Sequence, residues 1–132
     1  ANTAPYKGRV EKIRATSVAA LDGLIAAGRS FDLVYVDGSH RRDDVLIDTL
    51  LSWRMLNDGG RLIWDDYGGG KQFADPDRVQ PAVDLFMDIH GGECRELHRG
   101  YQVIVEKIAA SETKPSALVR RIRKLGRRLS RY

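Results

Sequence analysis

Between residues 31 and 67 the chain reads FDLVYVDGSHRRDDVLIDTLLSWRMLNDGGRLIWDDY, in which two short apolar runs each finish on carboxylates. Leu33-Val34-Tyr35-Val36 is apolar without polar alternation, the pattern of a strand buried on both faces of a parallel sheet. It stops at Asp37-Gly38-Ser39-His40. From Asp43 the spacing lengthens to a helical period, with Val45 and Leu46, then Leu50, then Trp53 and Leu56 three or four apart. Asn57-Asp58-Gly59-Gly60 is a stop signal for that helix. Leu62-Ile63-Trp64 makes a second short run, and it ends on Asp65-Asp66. The pattern predicts strand, helix, strand.

The flanking patterns extend this unit. Residues 9–14 (RVEKIR) alternate, with Val10 and Ile13 as the apolar positions, and predict an edge strand. Thr16 or Ser17 can cap a following helix whose apolar face is Val18, Leu21, Leu24 and Ile25, with Gly28 to close it. Beyond Asp66, Tyr67-Gly68-Gly69-Gly70-Lys71 reads as a flexible segment suited to a lid, leading to a turn at Asp75-Pro76-Asp77. A phosphate loop is excluded there, because Gln72 replaces the required Ser or Thr and the glycine spacing fails. Pro81 fits the first turn of a helix carrying Val83, Phe86, Met87 and His90, ended by Gly91-Gly92. Residues 93–98 and 101–107, joined by a turn at Arg99-Gly100, predict a β-hairpin. Together these elements predict an α/β fold, a Rossmann-like, mostly parallel sheet with an antiparallel C-terminal hairpin.

The order of elements decides where the chemistry falls. A right-handed crossover makes the two apolar strands parallel, so Asp37 and the Asp65-Asp66 pair emerge at the same carboxyl edge of the sheet. Three carboxylates gathered there repel one another unless protons or a cation neutralise them, and a hard divalent ion such as magnesium suits oxygen ligands best. His40 lies one turn past Asp37. With an ordinary pKa near ~6.5, an imidazole there is able to take a proton at neutral pH. The plainer readings are a solvated acidic turn, and a histidine that caps the next helix or hydrogen-bonds a carboxylate. Trp53 and Trp64 fit a core, Trp64 also adjoining the acidic pair, and His90 and His98 fit structural or exposed positions.

Size and composition limit the alternatives. The 132 residues suffice for one domain with a single core. A single cysteine, Cys94, excludes an internal disulfide and fits a reducing compartment. No apolar run approaches the ~20 residues of a membrane-spanning helix, and the expected location is the cytoplasm. Net charge is +4, but residues 114–132 hold eight bases and no acid, leaving 14 bases against 18 acids before them. The expected division is a domain over residues 1–110 and a basic amphipathic tail over 111–132. In that tail Leu118, Val119, Ile122, Leu125 and Leu129 recur at helical spacing between arginines. A terminal helix packed on the domain or on a partner explains this pattern; anionic membrane and nucleic acid are the other partners such a face suits.

At the two acidic turns the chain also resembles a known family. FDLVYVDGSH and GGRLIWDDY are similar to the later half of a class I S-adenosylmethionine-dependent methyltransferase. Within that class they resemble the metal-dependent small-molecule O-methyltransferases, among them catechol O-methyltransferase and the sugar O-methyltransferases of macrolide biosynthesis. The likeness runs from about Arg9 to about Lys107. It implies that Asp37, Asp65 and Asp66 hold Mg2+ or another divalent cation and that His40 is the general base. It implies S-adenosylmethionine contacts at Thr16, Ser17, Asp37 and Gly38, with Thr16 standing where many members carry an acid. The acceptor it implies is a small-molecule hydroxyl, on a sugar or natural product. In the family's strand order, 3-2-1-4-5-7-6, the first two strands and the glycine-rich cofactor turn would precede Ala1, and the chain does not begin with methionine. The resemblance therefore predicts the C-terminal part of a methyltransferase domain within a larger protein. The rival expectation is a non-catalytic binding or interaction fragment that works through its basic tail.

Overall fold

The computed structural model describes residues 6, 8–69, 78–115, 118 and 120–122. Helix α1 spans Ser17–Ala26, and Thr16 starts it: its backbone is extended and its hydroxyl oxygen accepts the Ala19 N–H at 3.3 Å. Such a cap satisfies one of the amide groups that have no partner inside the first turn. Gly28, at φ 66°, turns the chain out of the helix in the left-handed region that costs glycine nothing. Strand β1 (Phe31–Val36), helix α2 (Arg42–Met55) and strand β2 (Leu56–Trp64) then form the expected parallel unit. Helix α3 (Val79–His90), strands β3 (Cys94–Arg99) and β4 (Val103–Lys107) and a short 3-10 turn (Ala110–Glu112) complete it.

The four strands make one sheet in the order β1-β2-β4-β3. This is the order expected of the fourth to seventh strands in the resemblance. β1 pairs with β2 in parallel, and both remaining pairings are antiparallel. Among the described residues the parallel character is therefore confined to the unit that carries the acidic turns. Register aligns Val36 with Trp64 and Trp64 with Val103, and it aligns Val34 with Leu62 and Leu62 with Val105. These two rows face the helices and form the floor of the core. The intervening row, Tyr35-Ile63-Ile104-His98, lies on the other face.

The helices close the core from one side. α2 turns Val45, Thr49, Ser52 and Trp53 inward, and α3 turns Val79, Ala82, Val83 and Phe86 inward. Both sets recur at the three-to-four residue spacing of one helical face. Phe86 meets Trp53 edge-on at 5.2 Å and Trp64 at 5.4 Å between ring centroids. Both tryptophans are thus core. His90 stacks on Phe86 at 4.8 Å and reaches Glu93 through Nδ1 at 3.1 Å, which makes it structural, whereas His98 is exposed. Two polar atoms enter this core with their partners: the Trp64 Nε1–H donates to Thr49 Oγ1 at 2.7 Å, and Thr49 donates to the Val45 carbonyl at 2.7 Å.

Four expectations need correction. Residues 9–14 form no strand, and Val10 and Ile13 are 41% and 46% exposed. A strand needs a hydrogen-bonding neighbour, and β1, at the sheet's end, pairs with β2 alone among the described residues. Nor is β1 buried on both faces: Leu33 is 56% and Tyr35 45% exposed, because among the described residues the helices pack on the opposite face, with Val34 and Val36. Leu50 is also on the surface of α2, because Thr49 and Ser52 take the inward positions. Asn57-Asp58-Gly59-Gly60 does end the helix, but it does so as a bulge inside β2. Between Phe31↔Leu56 and Leu33↔Arg61 one residue of β1, Asp32, stands opposite four of β2. Gly59 takes φ 78° there, and a Cβ on Gly60 would lie 2.8 Å from the Asn57 carbonyl. Residues 70–77, which include Gly70 and Lys71 of the expected lid and the turn at Asp75-Pro76-Asp77, and residues 116, 117, 119 and 123–132 of the tail lie outside the described residues; 118 and 120–122 are helical.

The Trp64–Thr49 bond gives a direct test of the core. Thr49→Val keeps the shape but leaves a buried indole N–H without an acceptor, which costs about 1–3 kcal/mol. Thr49→Ser keeps the acceptor and should lose less. Urea unfolding midpoints of the two variants should separate in that order.

Candidate functional site at the carboxyl edge of the sheet

The parallel ladder runs one rung past the strands: the Asp65 N–H donates to the Val36 carbonyl at 3.1 Å. Asp37 and Asp65 therefore leave the sheet side by side. β4 runs antiparallel to β2, with Val103 opposite Trp64, so the residues just before β4 arrive at this same edge. Gln102 and Tyr101 are the residues delivered. Four chain segments thus meet here, two from the ends of parallel strands, one from the start of α2 and one from the hairpin turn.

The structure sorts the predicted residues into two groups. Asp37, His40 and Asp66 each offer one ligand atom, and those atoms lie within 4.8 Å of one another. His40 Nε2 is 2.8 Å from Asp66 Oδ2. The Asp65 carboxylate is engaged elsewhere. Tyr35 donates its hydroxyl to Asp65 Oδ2 at 2.6 Å, and Gln102 Nε2 donates to Asp65 Oδ1 at 3.0 Å and to the Tyr35 oxygen at 2.9 Å. The Tyr35 hydrogen bond, then that of Gln102, hold Asp65 below the usual carboxylate range. The same bond pushes Tyr35 up to about 12.

Asp66 is reached by an unusual backbone. Its φ is 55°, a left-handed conformation that aspartate tolerates better than most residues. Its N–H is held by Asp65 Oδ1 at 3.0 Å, and Tyr101 donates its hydroxyl to Asp66 Oδ1. That bond raises the Tyr101 pKa. The next residue is tied down as well. Tyr67 donates to Asp84 Oδ1 on α3 at 2.9 Å, and Arg99 of β3 donates to the Tyr67 oxygen at 2.5 Å with its guanidinium 5.0 Å from the Tyr67 ring centroid. At the start of α2, Ser39 donates to Asp44 Oδ2 at 2.7 Å and accepts the Arg41 N–H at 3.2 Å, which fixes the turn that presents His40.

Beside the cluster an open groove of about 440 Å³ runs along the exposed edge of β1. Ser17, Asp37 and Gly38 line it, together with Leu21, Val34, Val36 and Asp48. Thr16 spends its hydroxyl capping α1. Asp48 is 6% exposed, and burial raises its pKa while the Ser17 hydroxyl opposes the rise. A slightly larger cavity, about 470 Å³, lies between the end of α3 and the residues after β4; none of the acidic cluster lines it. Sequence reasoning missed Tyr35, Asp48, Tyr101 and Gln102. The signal for the last two was present in the hairpin pattern, since an antiparallel final strand begins where the parallel ones end.

Residues 1–67 match the protein family described as Methyltransferase domain. Over 63 residues the chain is 32% identical to an uncharacterized protein of Acanthamoeba polyphaga mimivirus, a match spanning 47% of this chain and 27% of that one. In fold it is similar to MycE, a methyltransferase from the mycinamycin biosynthetic pathway. Against MycE in complex with Mg and SAH the TM-score is 0.59 at 22% identity, covering 80% of this chain and 33% of MycE. Against MycE with Mg, SAH and mycinamycin VI it is 0.60 at 20% identity, over the same shares of the two chains. The chain spans about a third of MycE and 27% of the viral relative. At these identities the likeness to MycE is one of fold.

The Tyr35–Asp65 bond predicts a pH dependence of stability. It requires an ionised carboxylate and a protonated phenol. Asp65 is lowered, so its contribution is present above the ordinary value of about 3.9 and is lost as pH falls through the lowered one. Tyr35 is raised, so its contribution is full below about 10 and is lost as pH rises through about 12. Tyr35→Phe should therefore lower the urea midpoint most between about pH 5 and 9, with the two proteins converging toward either extreme. A gap that stays constant across pH would assign the phenol a packing role alone.

Proposed function

This chain belongs to the methyltransferase-domain family, and from that premise we propose that the intact protein transfers the methyl group of S-adenosylmethionine to a hydroxyl of a small molecule, assisted by a divalent cation. The observation that carries the reading is the meeting of Asp37, His40 and Asp66 at the carboxyl edge of the parallel unit. MycE, which shares the fold, was solved with Mg, SAH and a small natural product. That supports both the cation and the class of acceptor.

The residues fit the groups this reading requires. Asp37 and Asp66 give a hard cation charged oxygen ligands within reach of one another, and His40 stands among them. Asp65, the third carboxylate of the resemblance, is the reserve ligand, held one residue away by Tyr35 and Gln102. The groove beside Asp37 is lined by apolar Leu21, Val34 and Val36 and by polar Ser17 and Asp48. That combination suits a nucleoside, and in this reading Ser17, Asp37 and Gly38, which line the groove, would touch it.

What methyl transfer asks of the protein follows from the reagents. A sulfonium methyl is already a good electrophile, so the protein has to supply an oxygen nucleophile in line with it and keep the proton away. A bound cation supplies Lewis acidity, which lowers the pKa of the acceptor hydroxyl. His40 takes the hydroxyl proton, and the Asp66 carboxylate 2.8 Å from its ring nitrogen stabilises the imidazolium that results. As the methyl passed from sulfur to oxygen, His40 would hold the proton and S-adenosylhomocysteine would be the product released.

Two kinds of loss should be separable in the intact protein. Asp37→Asn or Asp66→Asn should abolish the stimulation of methyl transfer by Mg2+ together with most of the rate. His40→Ala should leave cofactor affinity by calorimetry near the original and cost on the order of 10²-fold to 10⁴-fold in turnover. An enzyme indifferent to chelator and to both aspartate changes would remove the cation from the mechanism.

A further inference from the structure

Tyr101 is 59% exposed, yet it is fixed at three points on one short segment. Its hydroxyl donates to Asp66 Oδ1. Its carbonyl accepts the Gly68 N–H at 3.0 Å. Its ring lies on Gly69, where a Cβ would come within 2.8 Å of Cε2. A bare glycine surface is therefore what lets the ring lie down, and the segment after Asp66 carries it at the one place the ring needs it.

Surface hydrogen bonds of this kind add little to global stability. The contact is better explained by what it holds. Asp66 sits at φ 55°, and a sparsely populated backbone persists only where its surroundings over-determine it. The two oxygens of its carboxylate have different neighbours. Oδ1 takes the Tyr101 hydroxyl, and Oδ2 faces His40. We infer that Tyr101 is a positioning residue: by occupying Asp66 Oδ1 from the hairpin turn, it fixes the carboxylate so that Oδ2 alone is presented to His40 and to a cation shared with Asp37. The inference rests on the cation reading given above for that part only; the hold on the His40–Asp66 contact stands apart from it. Groups that bond the ligands of a metal commonly set its affinity by 10-fold to 100-fold when removed.

The test uses the intact protein with Tyr101→Phe, which removes the hydroxyl and keeps the ring on Gly69. Mn2+ is the probe, its free-ion electron paramagnetic resonance signal giving the affinity, and the 15N signal of His40 Nε2 at one fixed pH reports the contact with Asp66. The expected result is an unchanged thermal midpoint, Mn2+ affinity lower by about 10-fold to 100-fold, and a displaced His40 signal. Gly69→Ala, which pushes the ring off its seat, should reproduce both changes independently. Unchanged Mn2+ affinity in Tyr101→Phe, or an unmoved His40 signal, overturns the inference. If the original protein itself binds no Mn2+, the cation reading falls, and the His40 signal alone decides: displacement upholds the hold on Asp66 and its absence refutes it.

Discussion

The pairing of β1 with β2 in one particular parallel register is the constraint on which the remainder depends. Val36 opposite Trp64, followed by the Asp65 N–H on the Val36 carbonyl, sets Asp37 and Asp65 level with each other as the chain leaves the sheet. The same register points Trp64 into the core, where it is fully buried and bonded to Thr49. A slip of one residue would turn Trp64 to the open face and send Asp66 to the position of Asp65. Core packing and site geometry are thus enforced together, and the bulge at Asn57-Asp58-Gly59-Gly60 absorbs the extra chain length that would otherwise shift them.

Three aspartates at one edge would repel one another if they were equivalent, and they are not. Asp65 is surrounded by uncharged donors, the Tyr35 phenol and the Gln102 amide, which hold it ionised without adding charge. Asp66 shares its two oxygens between a phenol and an imidazole. Asp37 is the exposed one of the three residues whose ligand atoms lie within 4.8 Å of one another. The result is one carboxylate committed to structure and two that keep an oxygen toward a common space. Proximity in sequence did not decide this division, since Asp65 and Asp66 are adjacent; the alternation of the backbone and the φ of 55° send them apart.

Much of this was legible in the sequence, because period and punctuation are local properties. The crossover from β1 through α2 to β2, the cap at Thr16, the helix around Val83 and Phe86 and the closing hairpin all follow from residues that agree with their neighbours. Failures came where a residue's fate depends on what lies beside it in space. An apolar run such as Leu33-Val34-Tyr35-Val36 looks the same whether one or two of its faces are covered, and residues 9–14 alternate as a strand does without a partner to make them one. In α2, Leu50 carried the hydrophobic signal, whereas the inward places went to Thr49, whose hydroxyl is bonded to Trp64 and to the helix backbone, and to the small Ser52. For the site, the motif singled out Asp37, His40, Asp65 and Asp66, of which the structure brings Asp37, His40 and Asp66 together. That motif did not reach Tyr35, which meets Gln102 from 67 residues away, and Tyr101 and Gln102 were signalled only by the hairpin pattern that brings its turn to this edge.

The hairpin that ends the fold explains why Asp66 can occupy its conformation at all. A chain leaving β2 must turn within one or two residues to cross toward α3, and a left-handed residue makes that turn in a single step. Upstream it is anchored by the ladder, and downstream by Tyr67, which is bonded to Asp84 on α3 and to Arg99 at the end of β3. Arg99 is itself fixed by Glu96 at 2.8 Å, so the anchor belongs to the hairpin and not to the loop. Tyr101, two residues further along the same hairpin, reaches Asp66 from the other side. The antiparallel pair therefore acts on the site through both neighbours of the strained residue. An acidic turn after a parallel strand is common in α/β proteins; one whose conformation is held from a separate antiparallel element gives its carboxylate a fixed direction, which is the property a cation ligand or a partner for His40 needs.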